Sequence, residues 1–433
     1  MWLSDRLARG RLHYAWIVAA VTFLVLLSSA GIRSTPGVLI IPLEKEFGWT
    51  RATISLAVSV NLLLYGLFAP FAAALMDRFG VRRVMLASLS FVAAGVGLTT
   101  VMRTSWQLVL LWGVVVGLGT GTMALVLGAY IANRWFAERR GFVTGLLTAS
   151  AATGQLIFLP ALASAVVGHG WRAAALIVSA VALGMVPVVA FFMRNEPGDV
   201  GLGPYGAGDE TPATQAPAGG NPATAALSTL GRGLRSREFW LLSGSFYICG
   251  ASTNGLIGTH LIPASMEHGI AEVTAASMLA AIGVFDLIGT TVSGWLTDRW
   301  DSRYLLCWYY GLRGLSLLFL PYALGTQFLA LAAFAVFYGL DWVATVPPTV
   351  RLTADVFGRR NVGVMFGWIA AAHQLGAATA AFGAGALRTW LGSYQVAFLT
   401  SGLLCLLAAG LVIRIGQASK GDLVRPRPAE AQA

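Results

Sequence analysis

The feature of this sequence that most restricts its fold is a series of twelve long apolar segments separated by short polar loops. Windows of about 19 residues place them at 14–41, 52–76, 83–101, 106–133, 142–167, 172–193, 239–262, 275–297, 303–323, 327–350, 362–386 and 393–415. Each segment is close to or above the roughly 20 residues that a helix needs to cross a bilayer. Backbone groups in lipid must be satisfied internally, and the period-two alternation of a β-barrel is absent. We therefore predict twelve transmembrane helices.

The composition excludes a large soluble protein. Of the 433 residues, 57% are hydrophobic and 11% are charged, and the mean hydropathy is +0.72. Soluble proteins of this size carry charge on about a quarter of their residues. The formal net charge of +10 would suggest nucleic acid as the partner of a soluble protein, but here the basic residues lie in short loops. We predict a protein whose partner is the lipid bilayer and that does not bind nucleic acid.

The distribution of Lys and Arg predicts the orientation. With a cytoplasmic N-terminus, 22 of the 29 basic residues lie on the cytoplasmic side, five lie outside and two lie within segments. The five outside residues are Lys45, Arg51, Arg103, Arg172 and Arg388. Because basic loops are retained in the cytoplasm, both termini are predicted to be cytoplasmic. The excess of Arg over Lys, with abundant Ala and Gly, is typical of GC-rich bacterial genomes, which indicates a bacterial inner (plasma) membrane.

A polar stretch divides the chain into two halves of six segments each. It contains GDETPATQAPAGGNPATAA, a composition that offers no hydrophobic core and is typical of linkers. We predict an N-terminal six-helix bundle at 1–194, a cytoplasmic linker at 195–237, a C-terminal six-helix bundle at 238–416 and a cytoplasmic tail at 417–433.

An internal repeat supports this division. The pair Asp77-Arg78 follows the second segment, and Asp298-Arg299 follows the eighth, 221 residues later. Phe136, after the fourth segment, and Phe357, after the tenth, are also 221 residues apart. Two landmarks at one offset indicate duplicated six-helix units, as found in transporter folds.

The loop after the second segment carries a recognisable motif. The stretch Ala73-Ala-Leu-Met-Asp77-Arg78-Phe-Gly80-Val-Arg82-Arg83 resembles the signature loop G-x-x-x-D-R-x-G-R-R of the major facilitator superfamily, with Ala73 in place of the first glycine. The second copy, which begins at Gly294, keeps the glycine and loses the later half. The resemblance covers essentially the whole chain. It implies an all-α membrane protein with twelve transmembrane helices in two pseudo-symmetric six-helix bundles.

In this family the signature loop latches the cytoplasmic gate in the outward-facing state. The resemblance therefore implies a cytoplasmic gate formed by Asp77, Arg78, Arg82, Arg83, Asp298 and Arg299. A carboxylate at this position can meet the positive N-terminus of a neighbouring helix, and the arginines can pair with carboxylates or anionic lipids. The alternative is a plain positive-inside anchor.

Within the superfamily, the chain is similar to the monocarboxylate transporters and the bacterial oxalate:formate antiporter group. The similarity rests on Glu46-Phe-Gly48-Trp49, on Asn133-Arg134-Trp135-Phe136 with Arg139-Arg140-Gly141, and on Asp286 in the eighth segment. Monocarboxylate transporters carry an Arg one turn after this Asp, where this chain has Thr290. They also carry a Lys in the first segment, where the nearest cation here is Arg33.

An ionisable side chain within the membrane is costly, and so it indicates a function. Arg33 lies between Gly31 and Pro36, which loosen the helix as at discontinuous binding sites. Because arginine stays charged and binds carboxylates through two donors, Arg33 is the predicted substrate-binding cation. The alternative is an arginine whose side chain reaches the membrane interface.

Four other ionisable residues lie within segments of the C-terminal half, three of them near the middle and Asp341 a little towards the cytoplasm. Arg313, in the ninth segment, is expected to pair with Asp286 or Asp341, which could also bind a proton. His373 could relay protons or bind an anion, or it could be a hydrogen-bonded packing residue.

Tyr65 and Asn254 are candidates for the cavity wall, although interhelical hydrogen bonds would also explain both. The sequence shows no phosphate-binding loop, nucleophile constellation or metal-ligand cluster, so we expect neither an enzyme nor a cofactor. We predict a monomeric secondary transporter that moves a small organic anion, a mono- or dicarboxylate, in symport with a proton. The alternatives are a multidrug exporter, which the fourth and fifth segments disfavour, and a membrane receptor without transport activity.

Overall fold

Helices occupy the described part of each of the twelve predicted segments in a computed structural model, which describes residues 13–123, 125–207, 222–325, 328–358 and 362–416. The predicted tail at 417–433, the linker residues 208–221, the N-terminal residues 1–12 and two arginines after the tenth segment, Arg359 and Arg360, lie outside the described residues. Eight helices in the described part are long and apolar enough by themselves to cross a membrane.

We label the helices α1 (Tyr14–Phe47), α2 (Arg51–Phe79), α3 (Val81–Thr99), α4 (Ser105–Leu108, Val109–Val116, Gly117–Thr122 and Leu125–Trp135), α5 (Arg140–His169), α6 (Trp171–Phe192), α7 (Arg237–Gly250, Ala251–Ile257 and Gly258–Glu267), α8 (Glu272–Thr297), α9 (Ser302–Gly325), α10 (Phe328–Asp341 and Val346–Phe357), α11 (Val362–Leu391) and α12 (Gln395–Val412). Helices α1–α6 form the N-terminal half and α7–α12 the C-terminal half. We call the end of the bundle where α1 begins and α12 ends the terminal end, and the opposite end the far end.

The turn between α1 and α2 at the far end follows from three residues. Gly48 has a φ of 67°, which glycine adopts without strain, and its N–H donates to the carbonyl of Glu44. The Thr50 hydroxyl then accepts a hydrogen bond from the N–H of Thr53 at 3.2 Å and so caps α2. This tight turn brings Glu44 beside Arg51, the first residue of α2.

The two halves meet along three helix pairs. Helix α2 packs along α11, α5 packs along α8, and α1 crosses α7. At the crossing of α1 and α7, a Cβ on Gly37 would lie 3.3 Å from the carbonyl oxygen of Gly258, so the two backbones are in near contact. Small residues permit this close packing of membrane helices.

Helices α7 and α11 pack backbone against backbone within the C-terminal half. A Cβ added to Gly250 would overlap the carbonyl of His373, and one added to Gly376 would overlap the carbonyl of Tyr247. Gly255 faces the carbonyl of Ala377 in the same way. The glycines on both helices therefore fix α7 and α11 against each other.

Three helices depart from regular α-geometry. Both α4 and α7 contain a π-helical stretch, at Val109–Val116 and Ala251–Ile257. The prediction of one continuous helix at 327–350 was wrong, because α10 is interrupted after Asp341 and resumes at Val346. The second part begins at Val346, and its first turn contains Pro347 and Pro348. Proline suits a first helical turn but cannot continue a preceding helix.

The predicted linker at 195–237 contains more regular structure than its composition indicates. Pro197–Val200 forms a short 3₁₀ turn, and Pro222–Gly233 forms a helix that packs against both α2 and α11. This linker helix therefore contacts both halves at the terminal end. Its apolar contacts with the bundle supply stability that a Pro-, Gly- and Ala-rich sequence lacks on its own.

Candidate functional site

Arg33 and Tyr65, both predicted as substrate-binding residues, are in direct contact inside the N-terminal half. The Arg33 Nη1–H donates to the Tyr65 hydroxyl at 3.4 Å, and the guanidinium carbon lies 5.1 Å from the centre of the tyrosine ring. Helical side chains point towards the helix N-terminus, so Arg33 reaches from the far-end half of α1 towards the middle of the bundle.

The guanidinium of Arg33 has unused hydrogen-bonding capacity. Its Nε is buried without a hydrogen-bond partner, and no carboxylate of the described residues lies within 4 Å of it. A cation within the membrane that lacks a counter-ion is costly. The geometry therefore leaves room for an anionic ligand at Arg33.

On the opposite side of the interface, α11 brings two polar residues to the level of Tyr65. A Cβ on Gly66 would overlap the Cβ of Gln374, so the Gln374 side chain lies directly against α2. The ring of its neighbour His373 packs on Phe246 with 4.7 Å between ring centres. Sequence analysis named His373 but did not select Gln374, because hydropathy does not distinguish helix faces.

Asn254 lies in the π-helical stretch of α7, one turn after the glycine that contacts His373. Its backbone carbonyl accepts a hydrogen bond from the Thr259 hydroxyl at 3.0 Å. Such stretches widen the helix and often occur at functional sites. The structure thus places Asn254 near His373, while Arg33 and Tyr65 lie across the interface.

A second group of charges lies within the C-terminal half. Arg313 of α9 is fully buried, and its Nε donates to Asp341 Oδ2 at 2.7 Å. This contact resolves the predicted alternatives for Arg313 in favour of Asp341. Further Arg313 donors reach the Cys249 Sγ at 2.8 Å and the backbone carbonyls of Asp341 and Trp342.

Asp286 and Ser293 of α8 satisfy other backbone groups at the interruption of α10. Asp286 Oδ1 accepts hydrogen bonds from the Val343 N–H at 2.9 Å and from the Thr290 hydroxyl at 2.8 Å. The Ser293 hydroxyl donates to the carbonyl of Ala344 at 2.6 Å. Irregular backbone at membrane depth requires such internal partners. Thr290, where monocarboxylate transporters carry an Arg, is here a hydrogen-bond donor to Asp286.

The residues predicted as a cytoplasmic gate lie at the terminal end. Asp77 Oδ1 accepts hydrogen bonds from the Tyr130 hydroxyl at 3.0 Å and from Arg134 Nη1 at 3.3 Å. Arg134 also pairs with Glu196 at 3.2 Å. These residues line a polar cavity of about 340 Å³. The partners of Asp77 in the described part of the chain all belong to the N-terminal half.

The other predicted gate residues also make local contacts. The Arg82 N–H donates to the Asn195 side-chain oxygen at 3.1 Å, and Arg83 lines the same cavity. Arg78 lies over the ring of Phe79. In the second copy of the motif, Asp298 follows the last turn of α8. Arg299 lies 4.1 Å from the ring centre of Trp295 and donates to its carbonyl at 3.1 Å.

At the far end, five side chains connect the two halves. Arg51 of α2 pairs with Glu44 of α1 at 2.9 Å and with Glu267 of α7. Arg388 of α11 also pairs with Glu267, at 2.6 Å, and the Tyr394 hydroxyl accepts a hydrogen bond from Arg51 at 3.0 Å. We call Glu44, Arg51, Glu267, Arg388 and Tyr394 the far-end network. Arg51 is only 6% exposed, so this contact is largely removed from solvent.

Sequence analysis missed the far-end network. It placed Arg51 and Arg388 on the same side of the membrane but treated them only as loop charges. Opposite charges at the ends of four helices were a weak signal, because nothing in the sequence shows which helix ends meet. Among the described residues, no three His, Cys, Asp or Glu side chains group as metal ligands would.

Comparison with known proteins connects this geometry to a family. The model of the family described as Major Facilitator Superfamily matches residues 21–285 and 252–432. "Uncharacterized MFS-type transporter YcxA" of Bacillus subtilis (strain 168) is 25% identical over 86% of this chain and 87% of its own length. Monocarboxylate transporter 13 of Rattus norvegicus is 25% identical over 93% and 89%, and monocarboxylate transporter 11 of Homo sapiens is 26% identical over 93% and 83%.

Solved structures share the fold. The crystal structure of D-xylose-proton symporter superposes with a TM-score of 0.72 at 16% identity, covering 94% of this chain and 99% of that one. A bacterial homolog to human lysosomal transporter Spinster, in an inward-facing and occupied conformation, gives 0.74 at 14% identity, with 97% and 100% covered. At such identities the likeness concerns the arrangement of helices.

Proposed function

Since the chain belongs to the Major Facilitator Superfamily and is a membrane transporter, not an enzyme, we propose that it carries a small organic anion. The cargo class is a mono- or dicarboxylate, moved by alternating access in symport with a proton. The membrane is the bacterial inner membrane, with both termini cytoplasmic, as the distribution of Lys and Arg indicates.

The observation that carries this proposal is the guanidinium of Arg33. It contacts Tyr65 but has no carboxylate partner among the described residues, and its buried Nε has no acceptor. A carboxylate would supply both the missing charge and the missing acceptor through a charge-assisted hydrogen bond. Relatives named monocarboxylate transporters support the same class of cargo.

Alternating access fits the contacts between the halves. The far-end network joins them through Glu267, while Asp77 at the terminal end contacts partners in its own half. With cytoplasmic termini, this arrangement corresponds to a closed periplasmic side. The opposite state requires the far-end network to separate and the signature-loop residues Asp77, Arg78, Arg82, Arg83, Asp298 and Arg299 to close the cytoplasmic side.

We assign the coupled proton to Asp286 and a structural part to Arg313 and Asp341. Asp341 has a cationic partner at 2.7 Å, whereas Asp286 accepts hydrogen bonds from two neutral donors, the Thr290 hydroxyl and the Val343 N–H. A carboxylate bound only by neutral donors can accept a proton without leaving an unpaired cation. His373 and Asn254 complete the proposed cavity wall on the C-terminal side.

The test is uptake into proteoliposomes of radiolabelled acetate, lactate, pyruvate, oxalate and succinate. We expect saturable uptake of at least one acid, and we expect Arg33→Gln to reduce its uptake at least tenfold. Arg172→Gln serves as the control, because Arg172 is exposed and pairs with Glu46 inside one half. Unchanged uptake in Arg33→Gln would exclude the anion site.

The two rival functions have their own signatures in the same system. An exporter of amphipathic drugs would confer resistance to several apolar cations on expressing cells and would not transport the carboxylates. A receptor would bind a carboxylate, seen as a rise in thermal stability, without any flux. Either result would contradict the proposed transport of organic anions.

A further inference from the structure

Gln374 is an intramembrane amide at the contact between the two halves. It lies near the middle of α11, and its Cβ and Cγ cover the face of Gly66 on α2. Its Oε1 is buried and has no hydrogen-bond partner. A polar side chain in a membrane-spanning bundle normally bonds to a neighbouring helix, so this amide stands out among the described residues.

The neighbours of Gln374 connect it to Arg33. Gly66 directly follows Tyr65, whose hydroxyl accepts the hydrogen bond from Arg33. Arg33 with its unpaired Nε and Gln374 with its unpaired Oε1 therefore contact two consecutive residues of α2, Tyr65 and Gly66. A buried polar group without a partner is destabilising, so both side chains are candidates for contact with one ligand.

Resting on the proposed function, we propose that Gln374 is the contact of the C-terminal half to the anion that Arg33 binds. The guanidinium binds one carboxylate oxygen, and the amide N–H₂ of Gln374 donates to the other or to an adjacent oxygen of the substrate. The oxygen and nitrogen of an amide exchange places by a half-turn about χ3, so the amide can present its donor. Bound anion then joins α1 of one half to α11 of the other.

Gln374 therefore couples occupancy to the conformation of the bundle. In an empty site, Gln374 contacts the other half through its packing against Gly66. An occupied site adds a charge-assisted hydrogen bond from each half to one molecule. Substrate binding energy is thus available to draw the halves together.

The experiment compares Gln374→Leu and Gln374→Glu with wild type, using the acid of the five-member panel that the wild type takes up best. We expect Gln374→Leu to raise KM about tenfold or more while maximal velocity stays within about twofold, because a hydrogen bond to a charged ligand is lost. We expect Gln374→Glu, which has the same shape, to abolish binding, because its carboxylate repels the anion. Gln155→Leu, on α5, is the control for removal of an intramembrane amide.

An unchanged KM in Gln374→Leu, or retained binding in Gln374→Glu, would overturn the assignment. Gln374→Glu keeps the test decisive if the leucine variant fails to insert. Failure of the proposed function is a distinct outcome. In that case the wild type takes up none of the five acids and Arg33→Gln has no effect.

Discussion

Arg51 and Glu267 form an ion pair that joins the N-terminal and C-terminal halves at the far end of the bundle. Glu267 also pairs with a second arginine, Arg388, at 2.6 Å. Arg51 also pairs with a second carboxylate, that of Glu44, at 2.9 Å. Charges removed from water interact more strongly than exposed pairs. This pair is therefore the most direct point at which to disturb the balance between conformations.

Glu267→Gln should shift the protein towards a state that is open at the far end. Two arginines then lose their shared carboxylate, and we expect the closed state to lose about tenfold in population, as for a partly buried pair of roughly 1–2 kcal/mol. The readout is the labelling rate of a cysteine in place of Ser55, which lies against Gly385 in the closed interface. Glu46→Gln should not change this rate, because Glu46 pairs with Arg172 in its own half.

A disulfide across the same interface should stop transport. The Ala52 N–H donates to the Thr389 hydroxyl at 3.2 Å, so cysteines at these two positions are close enough for oxidation to join α2 to α11. We expect Ala52→Cys with Thr389→Cys to lose uptake on oxidation and to regain it with a reductant. Each single cysteine variant should be insensitive to both treatments. Full activity in the oxidised double variant would mean that the far end does not open during transport.

Asp341→Asn should destabilise the protein severely. Arg313 is fully buried, and removal of its carboxylate leaves an uncompensated charge that costs about 3–5 kcal/mol. The measurement is thermal unfolding of the purified protein in detergent. Replacing both partners, as in Arg313→Met with Asp341→Leu, should recover a large part of the loss. If the double variant does not recover, the stabilisation by Arg313 comes mainly from its contacts with backbone carbonyls and not from its pairing with Asp341.

Asp286→Asn should abolish proton coupling while it leaves the stability of the fold unchanged. The asparagine oxygen can still accept from Val343 and Thr290, so we expect little change in thermal stability. We also expect that carboxylate uptake no longer responds to a pH gradient and no longer acidifies the vesicle interior. A flat pH trace in the wild type itself would contradict proton coupling altogether.

Gly66→Ala should impair transport without a change of charge. The added methyl group would overlap the Cβ of Gln374 and push α2 away from α11. We expect at least a tenfold loss of uptake, measured at equal amounts of protein in the vesicles. Gly383→Ala on α11, where a Cβ meets nothing within 4 Å, should leave uptake unchanged and serves as the control.

The twelve helices could be predicted because length and hydropathy determine insertion into a bilayer. The interruption of α10 could not be predicted from hydropathy, although Pro347 and Pro348 are compatible with a break there. A hydropathy window averages over the break. The partners that stabilise the break, Arg313 and Asp286, come from two other helices.

The candidate site was only partly predictable for a related reason. Membrane helices that are apolar on all sides carry little information about which face meets which neighbour. Intramembrane charge identified Arg33, Asp341 and Arg313, but their partners depended on tertiary packing. Gln374 was not selected because its role depends on its contact with Gly66, and these two residues lie on helices from different halves.

The glycine contacts between α7 and α11 make these two helices a single lever. Gln374, Glu267 and Arg388 all belong to this helix pair. The contact of Gln374 with Gly66 is the fulcrum about which the pair can tilt. Arg388 is fourteen residues beyond Gln374, or about 21 Å along the helix. A tilt of roughly 10° at the fulcrum would move the tip by about 4 Å, which exceeds the length of every ion pair in the far-end network. A small tilt of α7 and α11 at the level of the substrate would thus be large enough at the far end to break the ion pairs of the far-end network.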